Sequence, residues 1–415
     1  MTPAMNNTPL FDSTCDNQLR LDYFGDPNQL FLFTLIKTRP TYTPKEMTQT
    51  KALPPGSRIL VTGANGYICS HVVDTLLRMG YTVRGTVREA KPWLDELFHG
   101  QYGKDSFETV IVPGLENADT LQGVMDGVSG IVHVASDLSW GTDEGVIRRA
   151  VKGVENVLEA AYKAGSVRRF VLTSSAIAAN TPLPDVEGII VDTDSWNDEI
   201  VVAARSEETP ADQRVMCTYG ASKVEAEKFA WRWMAEKQPP FTLSTVLPDS
   251  CVGRILHPNI PGSSMGFIRK LLHGDTLMLD IFPPQWLVDV GDVARLHVVA
   301  LLDPTVQSER IFGHAKPLSW TDVIDLLRRL RPSNTQIPDS RPNEGRDLSD
   351  IVPAKRAEQL LQGFFGQSGW TCVEDSIAEG IEGVQEERPS RSGLLVPLVP
   401  VALFFLFSFV FKENV

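Results

Sequence analysis

Three residues at two places in the chain could together deliver a proton to a carbonyl oxygen. The stretch "YGASK" carries Tyr219 and Lys223 four residues apart, so on a helix both side chains lie on one face. An ammonium group beside a phenol favours the phenolate and lowers the tyrosine pKa from near 10. Tyr219 could then act as a general acid towards a carbonyl oxygen that receives a hydride. Ser175, in "TSSA", could hydrogen-bond that oxygen and orient it.

The Y-x-x-x-K spacing gains its weight from the motifs that precede it. Taken alone, it better fits a surface tyrosine and a solvated lysine. In this chain the glycine-containing stretch "VTGANGYIC" follows an apolar run and comes first, and Ser175 then ends another apolar run. Gly63 would permit a tight turn, and Gly66 would let a pyrophosphate approach backbone N–H groups at a helix start. The order predicts a dinucleotide site that serves hydride transfer.

The end of the second apolar run indicates which nucleotide the site would prefer. An acidic residue there would accept hydrogen bonds from a ribose 2′-OH and favour NAD. The chain instead reads "TVRGTVREAK", with Arg88 at the strand end and Lys91 close by. A planar guanidinium can hold a 2′-phosphate, so NADP(H) is predicted. A purely solvated role for Arg88 is the alternative, and Glu89 keeps it open.

Positioning these residues requires strands whose carboxyl ends share one edge of a sheet. Helical stretches such as "VKGVENVLEAAYKA" alternate with six apolar runs: "RILVTGA", "YTVRGTV", "TVIVP", "GIVHVAS", "RRFVLTSSA" and "FTLSTVLP". Continuous apolar strands that alternate with helices are typical of a parallel sheet covered on both faces. The pattern predicts an α/β protein with a doubly wound parallel sheet, the Rossmann arrangement, which binds its ligand beyond the strand ends.

The same pass along the chain divides it into four segments. Residues 1–52 are polar and are predicted to be a disordered N-terminal extension, and residues 53–250 form the NADP-binding domain. From residue 251 the alternation breaks down, so residues 251–384 are predicted to be a smaller substrate-binding lobe. Residues 385–415 are a linker and an apolar segment, whose part 394–411 is either a membrane anchor or a foreign stretch joined to the natural chain.

Charge and cysteine content exclude several classes of protein. The net charge of -13 is unlike that of nucleic-acid binders, which present a basic face. The five cysteines are scattered and show no metal-ligand spacing, so neither a disulfide scaffold nor a metal site is expected. A reducing compartment is therefore predicted, which makes the protein cytoplasmic, with membrane attachment only through the apolar segment.

Taken together, the motifs resemble the extended short-chain dehydrogenases/reductases, within them the dihydroflavonol-4-reductase-like group that includes fungal aldehyde and keto reductases. The resemblance runs from about Ser57 to Glu382 and rests also on "TVLPDSCVGRIL" and "WLVDVGDVARLH". It implies that Ser175, Tyr219 and Lys223 are the catalytic triad, with Lys223 also binding the nicotinamide ribose. To Gly66 and Lys91 it adds further cofactor contacts: Gly63, Tyr67, Ile68, Arg88, Ala135, Pro248, Ser250 and Tyr219 itself.

Two positions depart from the family pattern, and two others are expected to be structural. Cys69 replaces a glycine or alanine where helix and strand pack, and Gly114 stands where relatives often have an aspartate near the adenine. Either change could loosen cofactor binding, but neither removes a catalytic group. Asp289 and Asp292 are expected to cap and orient structure rather than to do chemistry.

These features predict an NADPH-dependent reductase of an aldehyde or ketone on a small organic molecule, such as a polyketide or other secondary metabolite. The protein would be a monomer or a homodimer. Four aromatic residues either line the substrate pocket or pack in the core: Trp140, Trp196, Phe267 and Phe282. The alternatives are a 3-hydroxysteroid-type dehydrogenase and an NAD-dependent epimerase/dehydratase. A non-enzymatic regulator is disfavoured, because the chain keeps both Tyr219 and Lys223.

Overall fold

The structure, a computed structural model, describes residues 50–137 and 139–384. Within them the strands are β1 (Arg58–Thr62), β2 (Thr82–Val87), β3 (Phe107–Ile111), β4 (Val128–His133), β5 (Arg169–Thr173), β6 (Ile190–Val191), β7 (Thr242–Pro248), β8 (Ser250–Val252), β9 (Gln285–Asp289), β10 (Arg310–Gly313), β11 (Lys316–Leu318) and β12 (Asp350–Ile351). The helices are α1 (Tyr67–Arg78), α2 (Pro92–Tyr102), α3 (Ala118–Gly123), α4 (Glu144–Ala164), α5 (Asp198–Arg205), α6 (Arg214–Lys237), α7 (Ser264–Leu271), α8 (Leu277–Ile281), α9 (Val290–Leu302), α10 (Trp320–Leu330), α11 (Ala354–Phe365) and α12 (Val373–Gly380).

Seven parallel strands form the central sheet in the order β10-β7-β5-β4-β1-β2-β3. The prediction of a doubly wound α/β fold is confirmed, and all six apolar runs are strands of this sheet. From β1 the chain adds β2 and β3 on one side and then β4, β5, β7 and β10 on the other. The crevice between the carboxyl ends of β1 and β4 is therefore the topological switch point, where such sheets bind ligands.

Two buried layers cover the faces of the sheet. One contains Val72, Val73 and Leu76 of α1 together with Val298 and Leu301 of α9. The other is formed mainly by α4, α6 and the strands beneath them. The apolar residues of α1 and α4 recur at helical spacing, and this recurrence lets each helix present one continuous stripe to the sheet.

The segment assigned to the smaller lobe contributes to both parts of the fold. Residues Arg310–Gly313 form β10 and pair with β7, so they belong to the central sheet rather than to the lobe. A run of four residues is too short to show a strand period in the sequence. Helices α9 and α11 likewise pack on the central sheet. The lobe itself consists of a three-stranded sheet, β11-β9-β8, packed with α7, α10 and α12 around its own apolar cluster.

The structural roles predicted for the two aspartates are confirmed at the start of α9. The Asp289 side chain accepts a hydrogen bond from the Asp292 backbone N–H at 3.1 Å and caps the helix. Asp292 accepts from the Thr371 backbone N–H at 2.7 Å and so fixes the segment that leads into α12. Burial raises the pKa of both carboxyl groups.

The predictions for residues 1–49 and 385–415, including the apolar segment 394–411, lie outside the described residues. In the part of the chain that the structure covers, no helix combines the length and apolar character needed to cross a bilayer. Four cysteines fall within that part, Cys69, Cys217, Cys251 and Cys372, and each is a free thiol.

Candidate active site

The glycine turn places backbone groups at the switch point. Gly63 follows β1 with a φ of 74°, in the left-handed region that favours glycine. A Cβ atom there would lie 3.1 Å from the Cβ atom of Ala135, so the two sides of the crevice nearly touch. Gly66 is the N-cap of α1, and no side chain caps that helix. The first N–H groups of α1 can therefore bind an anion such as a pyrophosphate.

A threonine that sequence reasoning missed holds the crevice together. The Thr62 Oγ1 atom accepts hydrogen bonds from the backbone N–H groups of Val134 and Ala135, each at 3.0 Å, and lies 2.9 Å from His133 Nδ1. Burial lowers the His133 pKa to about 3, so this imidazole is neutral. The available signal was a threonine as the last residue of a strand, just before the glycine turn.

The residues that open α1 pack rather than reach into the crevice. The Tyr67 hydroxyl donates to the Gly253 carbonyl at 2.8 Å, and burial raises the tyrosine pKa well above its usual value. Ile68 packs against both the sheet core and the lobe core. At this position a cofactor could therefore contact only the backbone of Tyr67. Cys69 is buried, with its Sγ atom 3.5 Å from the Thr62 carbonyl oxygen.

The two cations predicted to select the nucleotide differ in their surroundings. Arg88 directly follows β2, is exposed, and forms no hydrogen bond within the described residues. Lys91 is paired with Glu89, with 2.5 Å between Nζ and Oε1, and this hydrogen bond lowers the Glu89 pKa. Glu89, the acidic residue that could have engaged Arg88, is thus paired with Lys91. The Arg88 guanidinium therefore remains available for a 2′-phosphate.

The structure brings Ser175, Tyr219 and Lys223 together. Ser175 follows β5 as the N-cap of a short 3-10 turn, and Tyr219 and Lys223 lie one turn apart on α6. The Lys223 Nζ atom is 5.9 Å from the centre of the Tyr219 ring. Burial raises the Tyr219 pKa, and a hydrogen bond with Ser175 partly offsets the increase. Burial thus outweighs the lowering expected from Lys223, and the phenol keeps its proton at neutral pH.

Lys223 lines a cleft at the carboxyl ends of β4 and β5, together with Ala135 and Thr173. Burial lowers the Lys223 pKa to about 8, while the charge of Glu227 opposes the shift. The ammonium form therefore predominates at neutral pH, although a moderate rise in pH would discharge it. The cleft therefore places the Lys223 ammonium group at the carboxyl ends of the strands, next to Ala135 of the switch point.

Glu227 is a second residue that the sequence analysis missed. Its carboxylate accepts hydrogen bonds from Ser174 Oγ at 2.6 Å, Thr245 Oγ1 at 2.7 Å and Arg310 Nε at 2.8 Å. The carboxylate thus connects α6 to β5, β7 and β10, and it fixes the residue next to Ser175. The signal was present, because Glu227 follows Lys223 by four residues and shares its helix face.

Pro248 and Ser250 end β7 and begin β8, and Asp249 lies between them. The Asp249 backbone N–H donates to the Gly313 carbonyl at 3.1 Å, which places this turn at the carboxyl edge of β7 and β10. The predicted nicotinamide contacts therefore lie on the same edge of the sheet as Ser175.

Of the four aromatic residues expected to line the pocket or pack in the core, one lies near the Tyr219 ring and three pack against other side chains. The Trp140 ring lies 5.5 Å from the Tyr219 ring and is 45% exposed, as a residue at the mouth of a pocket would be. Trp196 packs instead, with the Arg310 guanidinium 3.9 Å from its ring centre. Phe267 and Phe282 stack on each other, with 5.6 Å between their ring centres.

Comparison with known proteins places this geometry in a family. Residues 59–312 match the NAD dependent epimerase/dehydratase family. The chain belongs to this family. Membership confirms the predicted relation to the extended short-chain dehydrogenases/reductases, and it makes the chain an NAD(P)-dependent oxidoreductase.

Three relatives illustrate the kind of family member it resembles. Ketoreductase nvfG of Aspergillus novofumigatus is 47% identical over 341 residues, which cover 81% of this chain and 99% of that protein. Aldehyde reductase 2 of Sporidiobolus salmonicolor is 39% identical, over 79% of this chain and 96% of its own length. The crystal structure of the yeast methylglyoxal/isovaleraldehyde reductase Gre2 complexed with NADPH superposes with a TM-score of 0.66, at 25% identity, over 78% of this chain and 96% of that one.

Proposed function

We propose that the protein is an NADPH-dependent ketoreductase. It reduces a ketone or aldehyde on a small organic molecule in secondary metabolism, with Tyr219 as the proton donor. The observation that carries the proposal is the grouping of Ser175, a protonated Tyr219 and Lys223 at the carboxyl edge of the sheet. The similarity to ketoreductase nvfG over nearly the whole of that protein supports the same reaction.

Each catalytic side chain has one role in the proposed reduction. Bound NADPH supplies the hydride. Ser175 donates a hydrogen bond to the substrate carbonyl oxygen and holds it near the phenol. Tyr219 transfers its proton to that oxygen as negative charge develops there. The Lys223 ammonium stabilises the phenolate left behind, and its pKa of about 8 allows this at neutral pH.

The residues of the glycine turn fit NADPH. The uncapped start of α1 offers backbone N–H groups to the pyrophosphate, and a side chain at Gly63 would crowd Ala135, with 3.1 Å between the two Cβ atoms. Arg88 would bind the 2′-phosphate by charge-assisted hydrogen bonds. Tyr67, Ile68, Pro248 and Ser250 would contribute mainly backbone contacts, and Lys91 would add long-range charge.

The proposal is tested by following NADPH oxidation with a panel of aliphatic and aryl ketones and aldehydes. We expect turnover with at least one ketone, much weaker turnover with NADH, and recovery of the corresponding alcohol by mass spectrometry. Absence of NADPH oxidation with every carbonyl compound, from protein that binds NADPH, would contradict a reductase function.

A second candidate follows from the family itself, since epimerases and dehydratases of this family return the hydride to the same molecule. Such an enzyme would retain NAD⁺ through purification and would show no net oxidation of added NADPH. Arg88 in place of an acidic residue at the end of β2 favours the reductase. Extraction of bound nucleotide from purified protein separates the two, because tightly held NAD⁺ is expected only of the epimerase or dehydratase.

A further inference from the structure

A buried carboxyl–imidazole pair lies at the carboxyl edge of the sheet that also carries Ser175. Asp249 follows β7 and His314 follows β10, and these neighbouring strands end together because Pro248 pairs with Gly313. The Asp249 Oδ2 and His314 Nε2 atoms are 3.7 Å apart, and their side chains are only 9% and 2% exposed. Strand β5 pairs with β7, Thr173 with Val246, so Asp249 leaves the sheet at the same carboxyl edge as Ser175.

One nitrogen atom of this pair and one of a neighbouring tryptophan lack the hydrogen-bond partners that buried polar atoms normally have. His314 Nδ1 and Trp286 Nε1 are buried, and neither has a hydrogen-bond partner within the described residues. The two rings meet edge to face, with 6.1 Å between their centres. Buried nitrogen atoms are almost always hydrogen-bonded in native proteins, so unpaired ones beside an active site point to a ligand that pairs with them.

The pair is not an ion pair at neutral pH. Burial lowers the His314 pKa to about 3, which keeps the imidazole neutral. Burial also raises the Asp249 pKa to about 7, and the negative charge of Asp347 adds to that increase. The other titratable groups facing Asp249 are Tyr219 and Cys251, which are both protonated near pH 7. Asp249 therefore changes from a hydrogen-bond donor to an acceptor within the working range.

We propose that Asp249, His314 and Trp286 form a subsite for a hydroxyl oxygen of the substrate, next to the carbonyl that is reduced. A hydroxyl group can donate to the Asp249 carboxylate or to His314 Nδ1, and it can accept from the Trp286 Nε1–H group. The enol of a 1,3-dicarbonyl compound offers the same pattern. The preferred substrates are thus β-hydroxyketones or enolised diketones rather than simple ketones, an inference that rests on the proposed reductase function.

The test compares two ketones of equal size, β-hydroxypropiophenone and butyrophenone, which differ by a hydroxyl in place of a methyl group. We expect the wild-type protein to prefer the hydroxyketone by at least roughly tenfold in kcat/KM, because a site built to bond a hydroxyl rejects its apolar isostere. Asp249→Leu and His314→Phe should each reduce that preference to within about twofold. Asp194→Asn, which removes an exposed carboxylate elsewhere, is the matched control and should leave the preference unchanged.

Asp249→Asn keeps the shape of the site and separates a substrate contact from a folding defect. In the wild type the preference should grow as pH rises through about 7, where the Asp249 carboxyl ionises and becomes a better acceptor. In Asp249→Asn the ratio of the two kcat/KM values should not change with pH, because effects common to both ketones cancel. Unaltered NADPH affinity and melting temperature would show that the variant is folded.

The possible results separate this inference from the function on which it rests. Equal kcat/KM for the two ketones in the wild type would overturn the subsite, and so would an unchanged preference in both Asp249→Leu and His314→Phe, while the reductase activity would stand. If the wild type oxidises NADPH with no carbonyl compound at all, the proposed function fails and the subsite fails with it.

Discussion

The cofactor side of the site, around the glycine turn, and the catalytic side, around Tyr219, are made of different kinds of groups. The cofactor side consists of strand ends, backbone N–H groups and small residues, with Gly63, Gly66 and Ala135 close together at the switch point. The catalytic side consists of buried side chains, in which Tyr219 and Glu227 each have specific partners on other elements. Backbone sites tolerate side-chain changes that leave the chain path intact, whereas paired buried side chains do not. Substitutions should therefore be much more damaging on the catalytic side.

The largest effect is expected from Tyr219→Phe, which removes the proposed proton donor and keeps the ring. We expect kcat to fall by about 10²- to 10⁴-fold, the usual contribution of a general acid. The dissociation constant for NADPH should change by less than about twofold, or ~0.4 kcal/mol, because the variant keeps the aromatic ring and loses only the hydroxyl group. Steady-state NADPH oxidation and a fluorescence titration measure the two quantities. Wild-type activity in this variant would remove Tyr219 from the chemistry.

The next effect concerns stability, and it comes from the carboxylate that connects α6 to three strands. Glu227→Ala leaves the Arg310 guanidinium, only 7% exposed, without a counter-charge, and only its hydrogen bonds to the Thr193 and Ser195 carbonyls remain. Removing one member of a buried ion pair, so that the other charge stays buried, costs about 3–5 kcal/mol of unfolding free energy. Denaturant unfolding of the variant measures that cost.

The matched control is Glu155→Ala, which breaks an exposed pair with Lys152 on the surface of α4, where the two atoms are 2.8 Å apart. Exposed pairs contribute at most about 1 kcal/mol. If the two variants lose similar amounts of unfolding free energy, Glu227 does not hold α6 to β5, β7 and β10.

A moderate effect is expected on the cofactor side from Arg88→Ala. Hydrogen bonds to a charged group contribute about 1.5–3 kcal/mol, so NADPH affinity should fall roughly 10- to 100-fold. NADH lacks the 2′-phosphate and its affinity should stay the same. Lys91→Ala serves as the control, because Lys91 is already paired with Glu89 and its loss should matter less. Equal weakening of NADPH and NADH binding would show that Arg88 does not contact the 2′-phosphate.

The contrast between the two sides also explains what the sequence could predict. Each strand of the cofactor side and the face shared by Tyr219 and Lys223 depends on spacing within a few residues, and short-range spacing can be read from the chain. The pairing of Asp249 with His314 depends on β7 and β10 becoming neighbours, and β10 has only four residues. The bonds of Thr62 to the segment after β4 likewise follow from the strand order. Long-range pairing of this kind is not encoded in local periodicity.

The smallest effect should come from Cys69, the position where the glycine turn departs from the pattern expected of the family. The thiol is buried within α1, so Cys69→Gly removes a packed sulfur atom and adds backbone freedom to the first turn of the helix. We expect a loss of about 1–2 kcal/mol in unfolding free energy. The NADPH dissociation constant should stay the same or decrease, because the backbone N–H groups of the turn remain. Cys69→Ala isolates the sulfur from the backbone term and should be the milder of the two. A large loss of NADPH affinity in both variants, with little loss of stability, would mean that the thiol itself contacts the cofactor and that the cofactor side is not made of backbone alone.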